Sequence, residues 1–60
     1  MNITIRCEIE SINETDAFLR QGPERTRIAK THIKKTREIS EGLMEITIPE
    51  EVAKEYQLKP

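Results

Sequence analysis

A chain of 60 residues with one cysteine and one histidine must fold without the cross-links that many domains of this size use. Cys7 has no partner for an internal disulfide, and Cys7 with His32 supplies only two of the four ligands of a closed zinc site. The core of so short a chain is marginal on its own. We therefore expect a single domain over residues 1–60, without metal or cofactor, that gains stability as a homodimer or from another partner.

The first strand is predicted from an alternation of polarity. Apolar side chains occupy every second position and polar ones fill the others, so one face holds Ile3, Ile5, Cys7 and Ile9 and the other holds Asn2, Thr4, Arg6 and Glu8. A period of two residues predicts a strand over residues 2–9 with one buried face. Cys7 lies in the apolar row, so we interpret it as a small buried hydrophobe rather than a reactive thiol.

The segment after this strand contains helix-capping and helix-breaking residues. Thr15 can cap a short helical turn through residues 17–19, which Gly22 and Pro23 would end. Phe18 and Leu19 are expected in the core. Phe18 and Tyr56 are the only aromatic residues, so the sequence shows no interleaving of basic and aromatic residues for base stacking.

Residues 24–39 fit two periodicities. As a helix, the stretch gathers Ile28, Ala29, His32, Ile33, Thr36 and Ile39 on one face, opposite a basic face. As a strand, it is favoured by its many β-branched residues. We favour a helix over residues 24–35 and a strand over roughly 35–39, and the strand alternative for the whole stretch stays open.

The C-terminal third predicts a turn, a strand and a helix. Ser40-Glu41-Gly42 is typical of a turn, and residues 43–48 form a strand with Met44, Ile46 and Ile48 on one face. A helix starting at Pro49 and ended by Lys59-Pro60 would place Val52 and Tyr56 on one face, close to Ala53. The fold class expected is therefore α+β, with two to three short strands, a C-terminal helix and a central basic helix.

Charge is distributed unevenly although the net charge is only −1. Residues 20–37 contain seven Lys or Arg and a single acid, Glu24, whereas both flanks are acidic. Such a segment can contact an anionic partner. The residues proposed for nucleic-acid binding are Arg25, Arg27, Lys30, Lys34, Lys35 and Arg37.

No catalytic residues are expected. Gly22 and Gly42 are isolated rather than part of a phosphate loop, and His32 has no nucleophile in a persuasive setting. A small-molecule substrate, an enzyme activity and a membrane span are therefore not expected. The lone cysteine is typical of the reducing cytoplasm.

Ser40-Glu41-Gly42 and the run ITIPEEVAKEYQLKP over residues 46–60 resemble the swapped-hairpin AbrB/MazE (SpoVT-AbrB-like) DNA-binding domains, over about the last 22 residues. The spacing departs from the family pattern between the turn and the strand, through residues 43–45. The resemblance implies a dimeric transcription factor or antitoxin. It also implies that Lys35 and Arg37, on the basic strand before the turn, face DNA.

Two functions follow as hypotheses. The first is a small DNA-binding transcriptional regulator or antitoxin-like protein whose basic segment neutralises phosphates. The alternative is a small protein-binding modulator, such as a phage-type inhibitor of a host protein. The acidic flanks beside a basic centre favour this alternative.

Overall fold

Five antiparallel strands in one sheet contain most of the chain. The computed structural model describes all residues from 1 to 60. The strands are β1 (Asn2–Ile12), β2 (Asp16–Gln21), β3 (Glu24–Ala29), β4 (Lys35–Ser40) and β5 (Leu43–Pro49), and the one α-helix is α1 (Glu50–Glu55). A single 3-10 turn, Lys30–His32, connects β3 to β4. The order across the sheet is β3-β2-β1-β5-β4, so β3 and β4 are the two edges.

The core lies on one face of the central strands. β1 pairs with β5 so that Ile3 lies opposite Ile48 and Ile5 opposite Ile46, which joins their apolar rows. Ile5, Ile46 and Ile48 are fully buried. The strands predicted over residues 2–9 and 43–48 are therefore confirmed, with their apolar faces as expected. Cys7 is also confirmed as a buried hydrophobe.

Helix α1 covers this inner face. The helix was predicted to start at Pro49 but begins one residue later, at Glu50, with Pro49 as its N-cap; Val52 and Ala53 are buried against the sheet. The prediction for Tyr56 was wrong, because the helix ends at Glu55 and the Tyr56 side chain is 38% exposed. No helix of the structure has the length and apolar character needed to cross a membrane.

A Schellman-type ending turns the chain back to the sheet after α1. Gln57 adopts a left-handed backbone with φ 58°, and the Leu58 amide donates to the carbonyl of Ala53 at 2.8 Å. This turn directs the Leu58 side chain into the core. Gln21 of β2 then anchors the following residue: its amide nitrogen donates to the Lys59 carbonyl at 2.6 Å, and its amide oxygen accepts from the Lys59 N–H at 2.9 Å.

The central basic helix does not exist, and the α+β class predicted with it was wrong. Residues 24–29 form strand β3, and the protein is a mostly-β, all-antiparallel sheet with one short helix. A strand forms here instead of a helix because Gly22, with φ 58°, makes a tight turn that lays β3 along β2. Ile28 then enters the core opposite Ala17, and the β-branched Thr26 suits the pairing. The strand predicted over 35–39 is confirmed as β4.

The helical turn predicted after Thr15 was also wrong. Asn13 holds this segment instead, because its side-chain oxygen accepts hydrogen bonds from the N–H groups of Thr15 and Asp16, at 2.9 and 2.8 Å. The resulting turn joins β1 to β2 as a hairpin. In β2 the side chains alternate, so Leu19 is buried as expected, whereas Phe18 points to the opposite face and is only half-buried.

The sheet is strongly coiled. Ala29 lies beside Asp16 at one end of the sheet, whereas Lys35 pairs with Thr47 at the other end and on the opposite edge. In a flat sheet these positions would be about 30 Å apart. The connection has only five residues, 30–34, and reaches at most about 20 Å from Ala29 to Lys35. The two edges must therefore curve towards each other around the core, and the bulge in β1 between residues 9 and 11 helps to bend the sheet.

Candidate nucleic-acid interface

The face of the sheet opposite α1, which we call the outer face, is not covered by any other element. The strand registers place charged and polar side chains along it on all five strands. Its members include Thr4, Arg6, Glu8, Ser11, Arg20, Arg25, Arg27, Lys35, Arg37, Glu45 and Thr47, together with the apolar Phe18 and Leu43. Because the sheet is coiled around its core, this face is convex.

One row of charges crosses the outer face through β1, β5 and β4. Glu45 lies directly between Arg6 and Arg37 in the register. Its carboxylate accepts hydrogen bonds from the Arg37 guanidinium at 2.8 and 3.1 Å and lies 3.6 Å from the Arg6 guanidinium. Opposite charges on paired strands stabilise a sheet by a few tenths of a kcal/mol each. Glu45 is thus shared by two arginines, and the row keeps a net positive charge.

A second row crosses through β1, β2 and β3. Arg20 donates to the Glu8 carboxylate and lies 3.9 Å from Glu10, while Arg25 lies 3.5 Å from Glu10. The hydrogen bond to Glu8, with the negative charges of Glu8 and Glu10, raises the pKa of the Arg20 guanidinium. Arg20 therefore stays charged, and this row is close to neutral.

The six residues predicted for nucleic-acid binding fall into two groups. Arg25 and Arg37 belong to the charge rows and have acidic partners. The other four make no ion pair and are exposed, and we call them the unpaired cations: Arg27, Lys30, Lys34 and Lys35. No acidic residue occurs between Arg27 and Lys35 in the sequence, so nothing within this segment neutralises them.

The helical interpretation expected Arg27, Lys30 and Lys34 on one face of a helix with Arg37, and the structure does not place them so. Arg27 lies on the edge strand β3, and Lys35 lies on the opposite edge strand β4. Lys30 and Lys34 lie in the connection between them, which is fixed to the sheet at both ends. The Lys30 N–H donates to the Thr15 carbonyl at 2.9 Å, and the Lys34 N–H donates to the Thr47 carbonyl at 2.8 Å.

Two shallow clefts lie on the outer face, one beside each edge strand. The β4 cleft is lined by Thr4, Lys35, Thr36, Arg37, Glu45 and Thr47. Within it the hydroxyls of Thr4 and Thr47 share a hydrogen bond of 3.2 Å beside the unpaired Lys35. Hydroxyl, ammonium and guanidinium groups together are suitable donors for a phosphate oxygen.

The β3 cleft holds a residue that the sequence argument placed in the core. It is lined by Glu10, Phe18, Leu19, Arg25, Thr26 and Arg27. Phe18 lies directly opposite Arg27 in the register, so an aromatic ring and two arginines meet on the outer face. The sequence contains no clear signal for this, because Ala17, Phe18 and Leu19 form a continuous apolar run, and only the pairing of β2 turns Phe18 to the face opposite its two neighbours.

The remaining reactive side chains do not form a second site. Burial raises the pKa of the Cys7 thiol to about 11, which keeps it protonated and unreactive near neutral pH. No group of three or more His, Cys, Asp or Glu side chains is placed to hold a metal ion. His32 lies half-buried in the 3-10 turn.

No known protein family, curated protein or solved structure matches this chain. The resemblance to the AbrB/MazE domains therefore stays a prediction. The same holds for the homodimer and for the protein-binding alternative. The surface chemistry of the chain itself supplies the basis for a functional proposal.

Proposed function

We propose that this protein is a small DNA-binding regulator that contacts the phosphate backbone with the unpaired cations and the adjoining outer face. The observation that carries the proposal is the contrast within the basic residues. Arg6, Arg20, Arg25 and Arg37 have acidic partners, whereas four cations between residues 27 and 35 have none. A cation without a partner loses no ion pair when it binds a phosphate, so its contribution to affinity is undiminished.

The placement of these cations suits a charged, extended ligand. They follow the β3–β4 connection from one edge of the coiled sheet to the other, and the backbone hydrogen bonds of Lys30 and Lys34 hold that connection in place. Phosphate contacts position a protein on nucleic acid and supply most of the sequence-independent affinity. We therefore expect affinity with modest sequence preference.

The β4 cleft supports the same proposal from a second direction. The resemblance to AbrB/MazE domains implies that Lys35 and Arg37 face DNA. Both side chains lie on the outer face beside the paired hydroxyls of Thr4 and Thr47. A phosphate in this cleft would accept from the Lys35 ammonium, from either hydroxyl and from the guanidinium N–H groups that Glu45 leaves free.

A matched pair of double variants tests the proposal. Lys34→Gln with Lys35→Gln removes two unpaired cations, and Lys54→Gln with Lys59→Gln removes two exposed lysines outside the outer face and the β3–β4 connection. Both variants change the net charge equally. Fluorescence anisotropy with a labelled short duplex at low salt should show affinity reduced about tenfold or more in the first variant and nearly unchanged in the second.

Two results would contradict the proposal. If the unmodified protein binds neither this duplex nor a single strand of the same length at low salt, the DNA-binding function is removed. Equal losses in the two double variants would show that only net charge matters and that the unpaired cations are not a contact surface. If DNA does not bind, a protein partner that binds the unmodified protein but not the Lys34→Gln, Lys35→Gln variant would favour the protein-binding modulator.

A further inference from the structure

We propose, resting on the DNA-binding function above, that the preferred ligand is single-stranded and that one base stacks on Phe18 in the β3 cleft. The proposal starts from the position of the ring. Phe18 is the only aromatic residue on the outer face, and its neighbours in β2, Ala17 and Leu19, are buried on the other side of the sheet. The ring is half-buried, so part of it is open to solvent on an uncovered surface.

The neighbours of Phe18 leave room on one side and supply charge on the other. On the β1 side its cross-strand partner is Ser11, whose side chain is small. On the β3 side its partner is Arg27, with Arg25 one diagonal step away. The ring therefore lies between the small Ser11 and two guanidinium groups, in a cleft that Glu10 also lines, and Arg27 has no acidic partner.

This combination matches the chemistry of single-strand recognition. Successive bases stack on exposed aromatic rings, and basic side chains follow the backbone between them. Arg27 could reach the phosphate next to a base on Phe18, and Arg25, whose side chain is 73% exposed, could exchange Glu10 for a second phosphate. The unpaired lysines of the β3–β4 connection then continue the path of the backbone.

The same ring cannot act in this way on an intact duplex. Bases of a duplex are stacked on each other and offer only their edges in the grooves. Phe18 lies in the middle of a strand on a convex surface rather than at the tip of a loop, so it cannot insert between base pairs. A base is available to it only where a strand is already unpaired.

The test must separate base stacking from a purely structural role of Phe18, since an aromatic ring can pack on the aliphatic part of a cross-strand arginine. Phe18→Leu keeps an apolar side chain against Arg27 but removes the flat π surface, whereas Phe18→Tyr keeps that surface. Tyr56→Leu is the matched control, because it removes the only other aromatic ring, which lies beyond the end of α1. Thermal unfolding of each variant verifies that it is folded.

The test is fluorescence anisotropy with a labelled oligothymidine and with a duplex of equal length. We expect the unmodified protein to bind the single strand more tightly. Phe18→Leu should weaken single-strand binding about tenfold or more, and Phe18→Tyr and Tyr56→Leu should leave it nearly unchanged. As Phe18 is the only phenylalanine, its ring protons are identifiable by NMR, and they should move upfield when the oligothymidine is added.

The outcomes separate this proposal from the one it rests on. Tighter binding of the duplex, an unchanged single-strand affinity in Phe18→Leu, or unmoved Phe18 ring signals would overturn base stacking and leave the DNA-binding function standing. If neither oligonucleotide binds, the DNA-binding function itself fails. If Phe18→Leu does not fold, the ring-proton shift of the unmodified protein decides the question.

Discussion

Truncating Ile46 to alanine should bring the protein close to unfolding. Ile46 is fully buried in β5, between Ile5 of β1 and Thr36 of β4 in the register. Removing such a side chain from a core costs about 3–5 kcal/mol, because apolar contacts are lost and a cavity remains. The whole stability expected for a chain of this length is about 3–9 kcal/mol. Thermal unfolding followed by circular dichroism should therefore show the midpoint lowered by about 15 °C or more.

Ile39→Ala is the matched control for this experiment. Ile39 is the same residue type in the same hairpin, but it lies on the edge strand β4 and is 40% exposed. Its truncation should cost about 1 kcal/mol or less. A cost below about 1 kcal/mol for Ile46→Ala would mean that the apolar row of β5 does not face the core, and would refute the register on which the outer face depends.

Three further predictions concern other parts of the molecule. Burial raises the pKa of Cys7 from 9.0 to about 11, so the stability that its neutral thiol contributes is complete below pH 9 and is lost as the pH rises towards 11. Urea unfolding over this range should show the free energy of unfolding falling by up to about 3 kcal/mol more in the unmodified protein than in Cys7→Ala. Equal declines in the two proteins would contradict this. Gln21→Ala should cost about 1–3 kcal/mol and speed hydrogen exchange of the Lys59 amide, whereas unchanged exchange would show that Gln21 does not anchor the C-terminal segment. Light scattering at micromolar concentration should find a homodimer, and a stable monomer would contradict that prediction.

The parts of the fold that the sequence predicts well are those where one periodicity has no competitor. Strand β1 alternates without interruption, and β5 with α1 shows both an apolar row and a proline directly before the helix. In these segments the side chains that face the core could be named from spacing alone. Tyr56 was misplaced because helix length is set by the Schellman-type ending at Gln57, a left-handed position that spacing does not reveal.

The β2–β3 hairpin could not be predicted because its local signals conflict. Thr15 before apolar residues is a normal helix start, and the helical period over residues 24–35 collects an apolar face. Pairing decides the outcome: β3 hydrogen-bonds to β2 and β2 to β1, so each strand is stabilised by partners that are distant in sequence. Strand preference depends strongly on such context, and a single sequence does not show which partner is present.

The candidate interface was predictable as a set of residues but not as an arrangement. The excess of Lys and Arg in residues 20–37 identified all four unpaired cations. Which arginines are neutralised depends on cross-strand register, as with Arg37 opposite Glu45. The role proposed for Phe18 depends on the same hairpin, because only strand β2 places the ring on the outer face beside Arg27.

The salt dependence of oligonucleotide binding tests the DNA-binding account most directly. The measurement compares the unmodified protein with a variant in which all four unpaired cations are replaced by glutamine. If each cation neutralises one phosphate, the log–log slope of affinity against salt should become shallower by about 2.8 on a single strand or about 3.6 on a duplex. Identical slopes for the two proteins would contradict the account, because the unpaired cations would then make no contact with phosphate.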